Sequence, residues 1–190
     1  MTEKEVIREN LADILGVEQH ALQRIERQRQ DERIRKFEKA YEALEKIEVV
    51  LNSHIGELER HLSTVDGGFE AKLKRAATSI AGSVASVYDR IRTNEPVSKN
   101  LRDDYVLLNL AVIDYGMLHT AALMLSETQI APVAQRHMTD LTPLIVELSD
   151  IIPFVLAGEL GGKENIEDGA ARQAAAQYRQ AWSSDVTARV

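Results

Sequence analysis

Apolar residues recur along this chain every three or four positions, the period of helices that bury one face. From Glu3 to about Gln28 the stripe is Ile7, Leu11, Ile14, Ala21 and Ile25, and Glu18 falls on it, seven residues from Leu11 and seven from Ile25. A second stripe runs Phe37, Tyr41, Leu44, Glu48, Leu51, Ile55, Leu58 and Leu62. Extending the first stripe would turn Gln28, Glu32 and Arg35 inward, so the phase breaks across Gln28 to Arg33 and predicts a turn between two antiparallel helices. No Gly or Pro lies between Val17 and Ile55, which leaves one long helix as the alternative.

Asp66-Gly67-Gly68 closes the second helix, and Phe69, Leu73, Ala76, Ile80, Val84, Val87 and Ile91 describe a third. Thr93-Asn94-Glu95-Pro96 ends it, and Ser98 is placed to cap the next. That next helix holds the stretch Tyr105 to Leu125, YVLLNLAVIDYGMLHTAALML, which is apolar on nearly every side and predicts a spine wrapped by other helices. Asn109, Asp114 and His119 interrupt it, which argues against a membrane span. After Ser126 to Ala131 the last stripe is Val133, His137, Leu141, Leu144, Leu148, Ile151 and Val155. Pro143 either kinks this helix or follows Thr142 as the first turn of a new one.

Helices are thus predicted at about 3–29, 33–64, 69–92, 99–126 and 130–157, in one domain over 1–160, followed by an Ala- and Gln-rich tail, 161–190. A loose helix around Ala170 to Trp182, docked through Tyr178 and Trp182, and a mobile tail are both open for that end.

Composition narrows the function. Only 4 Pro, 10 Gly and 5% aromatic residues favour an all-α fold, and 190 residues suffice for one sizeable core. A net charge of -7 argues against nucleic acid as partner, since phosphate neutralisation needs a clustered cationic surface. The basic residues Arg24, Arg27, Arg29, Arg33, Arg35 and Lys36 are interleaved with Glu26, Asp31, Glu32 and Glu38, as on an ion-paired, solvated face. Without cysteine there is no disulfide, thiolate nucleophile or Cys-type metal site. The opening MTEKEVIREN lacks the apolar run of a secretion signal, so the expected location is cytoplasmic.

Two antiparallel helices, a helical connection long enough to cross the bundle, and two more antiparallel helices give residues 3–157 a layout that resembles the ferritin-like superfamily. The likeness is greatest to its small stress-associated members. The resemblance implies an up-down four-helix bundle with a carboxylate on two helices and Glu-x-x-His on the other two. Glu18 matches the first carboxylate, and Glu48 would be the next, but Leu51 stands where its histidine should be. The inward positions Leu108, Val112 and Tyr115, and Leu141, Leu144 and Leu148, supply no glutamate. The usual di-iron ligand set is not recognisable, and no catalytic residue is assigned.

Polar chemistry remains inside the bundle all the same. With the last turn centred near Thr128, His119 and His137 are each nine residues from it and share a level, where His54 on the second helix also lies. The expectation is a histidine layer of His54, His119 and His137 with Glu18 and Glu48, supported by Asp13, Glu57 or Asp140. It offers a site for Fe, Mn or Zn, or else three histidines satisfied by their neighbours. His20 and His61 are read as structural or solvated. The expected role is a self-associating, non-catalytic helical protein that forms a homodimer through apolar helix faces and needs no cofactor. The alternative is a metal-storage or redox protein using that layer.

Overall fold

The computed structural model describes residues 2–65, 95–161 and 166–183, apart from the side chains of residues 65, 166–168, 182 and 183. Among them the chain is all-helical: α1 (Glu3–Gln30), α2 (Glu38–Val65), α3 (Val97–Met124), α4 (Ile130–Glu159) and α5 (Ile166–Ser183). The expected third helix at 69–92, like the side chain of Trp182, lies outside the described residues.

The phase break after Gln28 does end a helix. Asp31 caps α1 in extended backbone, its carboxylate accepts from the backbone and guanidinium of Arg33, and a single 3₁₀ turn, Ile34–Lys36, leads into α2. Thr2 and Glu5 close a capping box at the other end of α1, satisfying two of the backbone donors that a helix start leaves free.

Cross-bundle bonds give the directions. α1 meets α2 through Glu18 with His54 and Arg29 with Glu45, so larger numbers on one pair with smaller ones on the other. The same inverse pairing joins α1 to α3 (Gln28 with Asp104, Glu18 with Tyr115), α2 to α4 (Lys46 with Glu147, Glu57 with His137) and α3 to α4 (Tyr115 with His137). Neighbours around the ring are therefore antiparallel, while α2 and α3 run parallel on one diagonal. Val65 and Val97 lie at opposite ends of the bundle.

The core is formed by Leu11, Ile14, Leu15, Ile25, Leu44, Ile47, Leu51, Leu58, Leu101, Leu108, Leu118, Leu141 and Leu148, all fully or almost fully buried. α3 departs from the wrapped spine that its composition suggests. Among the described residues it packs chiefly on α1 and α4, and Val106, Leu110, Ile113, Met117, Leu123 and Met124 are exposed. Both α3 and α4 are long and apolar enough to cross a membrane, and a third or slightly more of their most apolar stretches is buried here.

Three local expectations change. Ser98 does not cap α3. The carboxylate of Glu159, from the end of α4, accepts from the backbone of Val97 and Ser98 and from the Ser98 hydroxyl, placing negative charge at the positive end of the helix dipole. Pro143 starts no new helix, because α4 runs unbroken through Pro143 and Pro153, and the Thr142 hydroxyl donates to the Met138 carbonyl at 2.7 Å. The Ala-rich segment becomes α5, which seats Ala171 and Ala175 against α4 and ties Arg179 to Asp150.

Candidate functional site: a buried His-Tyr-Glu layer

Halfway along the bundle each of the four long helices contributes a polar side chain to one layer. Glu18 from α1, His54 from α2, Tyr115 from α3 and His137 from α4 are all buried. The imidazoles of His54 and His137 stack with centroids 3.7 Å apart and planes 5° from parallel, and the Tyr115 ring meets both edge-on.

Their polar atoms form one connected chain. Glu18 Oε1 is 3.1 Å from His54 Nδ1 and 2.9 Å from the Tyr115 hydroxyl. That hydroxyl is 2.8 Å from His137 Nδ1, whose ring reaches Glu57 Oε2 through Nε2 at 2.9 Å. Glu57 also accepts from Arg136 at the bundle surface. The second nitrogen of His54 points to Asp140 Oδ2 at 3.4 Å. The second oxygen of Glu18, Oε2, is buried with no hydrogen-bond partner.

Environment decides which group is charged. Burial lowers His137 to about 4, keeping its ring neutral at pH 7. Burial also works against the Glu57 carboxylate, but bonds from Arg136 and His137 outweigh it and bring the group down to about 2, so it is ionised. Desolvation pushes Glu18 up and Tyr115 well above the ordinary phenol range.

A proton count follows from these states. Neutral His137 donates Nε2–H to ionised Glu57, so its Nδ1 can only accept, and the one proton it can accept is that of the Tyr115 hydroxyl. Nothing then remains for the Tyr115–Glu18 contact unless Glu18 itself is protonated. His54, if neutral, serves Glu18 or Asp140 but not both. Tyr115 thus has one proton for two acceptors, His137 Nδ1 and Glu18 Oε1. The layer gathers three carboxyl groups, Glu18, Glu57 and Asp140, around one guanidinium, that of Arg136.

His54, His137 and Glu18 are thus brought together as expected residues of one layer, with Glu57 and Asp140 as their carboxylate partners. Two of the expected residues stand elsewhere. Glu48 lies against the Arg29 guanidinium at the α1–α2 edge. His119 lies about a turn away from the layer, its Nδ1 2.8 Å from the Ala131 carbonyl, which makes that nitrogen the donor. The connection spans residues 125–129, centred on Glu127 and not on Thr128, with Ser126 at a φ of 58°. It is Tyr115, one turn before His119, that faces His137. Asp13 also lies outside the layer, where burial and Glu9 raise its carboxyl.

Tyr115 is the layer residue that hydrophobic patterning hides, because a tyrosine on an inward stripe reads as core. The legible signal was that a buried phenol needs a partner. Two helices also carry a carboxylate three residues after their histidine, His54-x-x-Glu57 and His137-x-x-Asp140, on one helical face. Each histidine meets the carboxylate of the other helix.

A second buried acid, Asp104 on α3, accepts from Gln28 at 2.7 Å and from Arg24 at 3.2 Å. Burial raises it to about 6 against the pull of Arg24. Both partners sit on α1, and the group acts as a tether between helices.

Among the described residues no group of three or more His, Asp and Glu side chains is placed so that it could hold a metal ion. No known protein family model, curated protein or solved structure matches the chain.

Proposed function

We propose that this is a ferritin-like helical bundle that binds one divalent transition metal ion, iron, manganese or zinc, at the Glu18–His54–His137 layer. Support for the ferritin-like reading is the ring of antiparallel neighbours with α2 and α3 parallel on a diagonal, the arrangement of bundles with one long crossover. Support for the metal is the proton count. Three carboxyl groups with one guanidinium among them, one phenol proton shared by two acceptors, and a buried carboxylate oxygen without a partner make a layer that an added cation would satisfy.

The donor types suit such an ion, and the stacked His54 and His137 rings would have to turn for both to reach it. Imidazole nitrogens with carboxylate oxygens suit zinc, iron and manganese, whereas calcium and magnesium prefer oxygen alone. Glu18, His54 and His137 would hold it, Glu57 and Asp140 would complete or orient the set, and Tyr115 would keep the Glu18 carboxylate in place by donating to it. A bound ion there supplies Lewis acidity, and iron or manganese also one-electron chemistry. In its absence the same side chains hold one another, and burial shifts Glu18 toward its protonated form.

The test is elemental analysis of protein grown with added iron, manganese and zinc, beside Glu18→Gln and His137→Gln variants. Stoichiometric metal in the parent that is lost from both variants supports the site. Metal absent from the parent, or retained by both variants, removes it.

A further inference from the structure

The exposed face of α3 carries Val106, Leu110, Ile113, Met117 and Met124 at successive spacings of four, three, four and seven, one continuous stripe along the helix. Ile113 is 63% exposed, Met117 58% and Met124 80%. These five side chains present on the order of 500 Å² of apolar surface, against the ~800 Å² that one partner contributes to a standard interface. Flanking residues supply the remainder of such an area.

Charge says what kind of partner fits. Between Asp104 and Glu127 the only ionised group on α3 is Asp114, half-buried at the edge that faces Asp13 of α1. On the α4 side the stripe is bordered by Met138, whose sulfur is 3.8 Å from where a Cβ on Gly116 would stand. The stripe runs between Arg102, whose exposed guanidinium already donates to Asp103, and Glu127 in the turn past Met124. Such a surface complements itself when a second copy is laid on it antiparallel. Val106 then meets Met124, Leu110 meets Thr120, Ile113 meets Met117, and Arg102 comes next to Glu127 of the other copy. A lipid surface fits less well, since the net charge is -7 and no row of lysines or arginines on α3 itself borders the stripe. α5 cannot cover it, being held on α4 by Arg179 and Asp150.

We infer that the outer stripe of α3 is an isologous homodimer interface, with the two α3 helices antiparallel and centred near the level of Tyr115. Closed two-fold pairing is the commonest assembly of a self-complementary patch.

Sedimentation velocity of the full chain from micromolar to near-millimolar concentration tests this, beside Ile113→Glu/Met117→Glu, Arg102→Glu, Glu127→Arg and the double charge swap. A dimer is expected, and the two glutamates should raise its dissociation constant at least ~100-fold with the circular dichroism of the native protein unchanged. Each single charge change should weaken the dimer about 3-fold and the swap restore it. A parent that stays monomeric overturns the inference, whether its stripe is then shown by cross-linking to be covered by its own residues 66–94 or by flotation to bind vesicles. A dimer indifferent to the two glutamates overturns it as well.

Discussion

Replacing Tyr115 by Phe removes one oxygen from the centre of the buried layer and leaves the ring packing intact. The magnitude depends on the proton count. The hydroxyl stands 2.9 Å from Glu18 and 2.8 Å from His137, which by distance alone are two bonds. The hydroxyl donates to Glu18 Oε1, and with His137 neutral and donating to Glu57, His137 Nδ1 competes for that same proton. The substitution therefore strands one ring nitrogen and one carboxyl oxygen at a fully buried site. Each stranded group costs about 1–3 kcal/mol, and part is recovered when the Glu18 carboxyl turns elsewhere, so the expected loss is about 2–3 kcal/mol. For a chain of this size that lowers Tm by roughly 5–10 °C. Urea unfolding of metal-free protein at pH 7, followed by circular dichroism, measures it, with Tyr178→Phe on the exposed face of α5 as a control expected to change stability by under about 0.5 kcal/mol. Glu18→Gln completes the cycle. An amide brings its own protons and no charge, so this variant should match or exceed the parent in stability without metal. A Tyr115→Phe loss below about 0.5 kcal/mol, or a Glu18→Gln loss above about 2 kcal/mol, would refute the proton-deficit reasoning.

Other consequences are open to direct measurement. His137 lies at about 4, below its ordinary 6.5, so its contribution is complete above pH 6.5 and is lost as pH falls toward 4. Asp104 lies at about 6, above its ordinary 3.8, so its contribution is complete below 3.8 and is lost as pH rises through 6. The two oppose each other in one window. Asp104→Asn should thus lose stability between pH 6.5 and 4 more steeply than the parent, by up to about 3 kcal/mol, and parallel curves from urea midpoints would contradict both assignments. Gly116→Ala should stabilise by about 0.5–1 kcal/mol, because the new methyl meets only Met138 at ordinary contact distance. Gly158→Ala should not, since its Cβ would stand 2.8 Å from the Phe37 ring.

Sequence periodicity revealed much of this fold because its helices bury faces with a regular stripe. Leu11, Ile14 and Ile25 on α1, and Leu44, Leu51, Leu58 and Leu62 on α2, are all buried where the 3.6-residue period puts them. Glu18 was legible as a buried carboxylate for the same reason. α3 was not, because an all-apolar helix has no phase: its composition cannot say which face the bundle leaves open. Glu48 follows the α2 stripe yet meets Arg29, since a long charged side chain at a stripe's edge can reach a partner outside. The placement of His119 failed on one turn. Loop geometry there depends on a single residue of positive φ, Ser126, which periodicity does not register.

Calorimetric titration of metal-free protein with zinc or manganese, at pH 7 in two buffers of different ionisation enthalpy, tests the central claim most directly, because it counts protons as well as ions. One ion bound per chain, with release of about one to two protons that falls by about one in Glu18→Gln, is the expected result. Absence of binding, or binding that releases no protons and ignores Glu18 and His137, would contradict it.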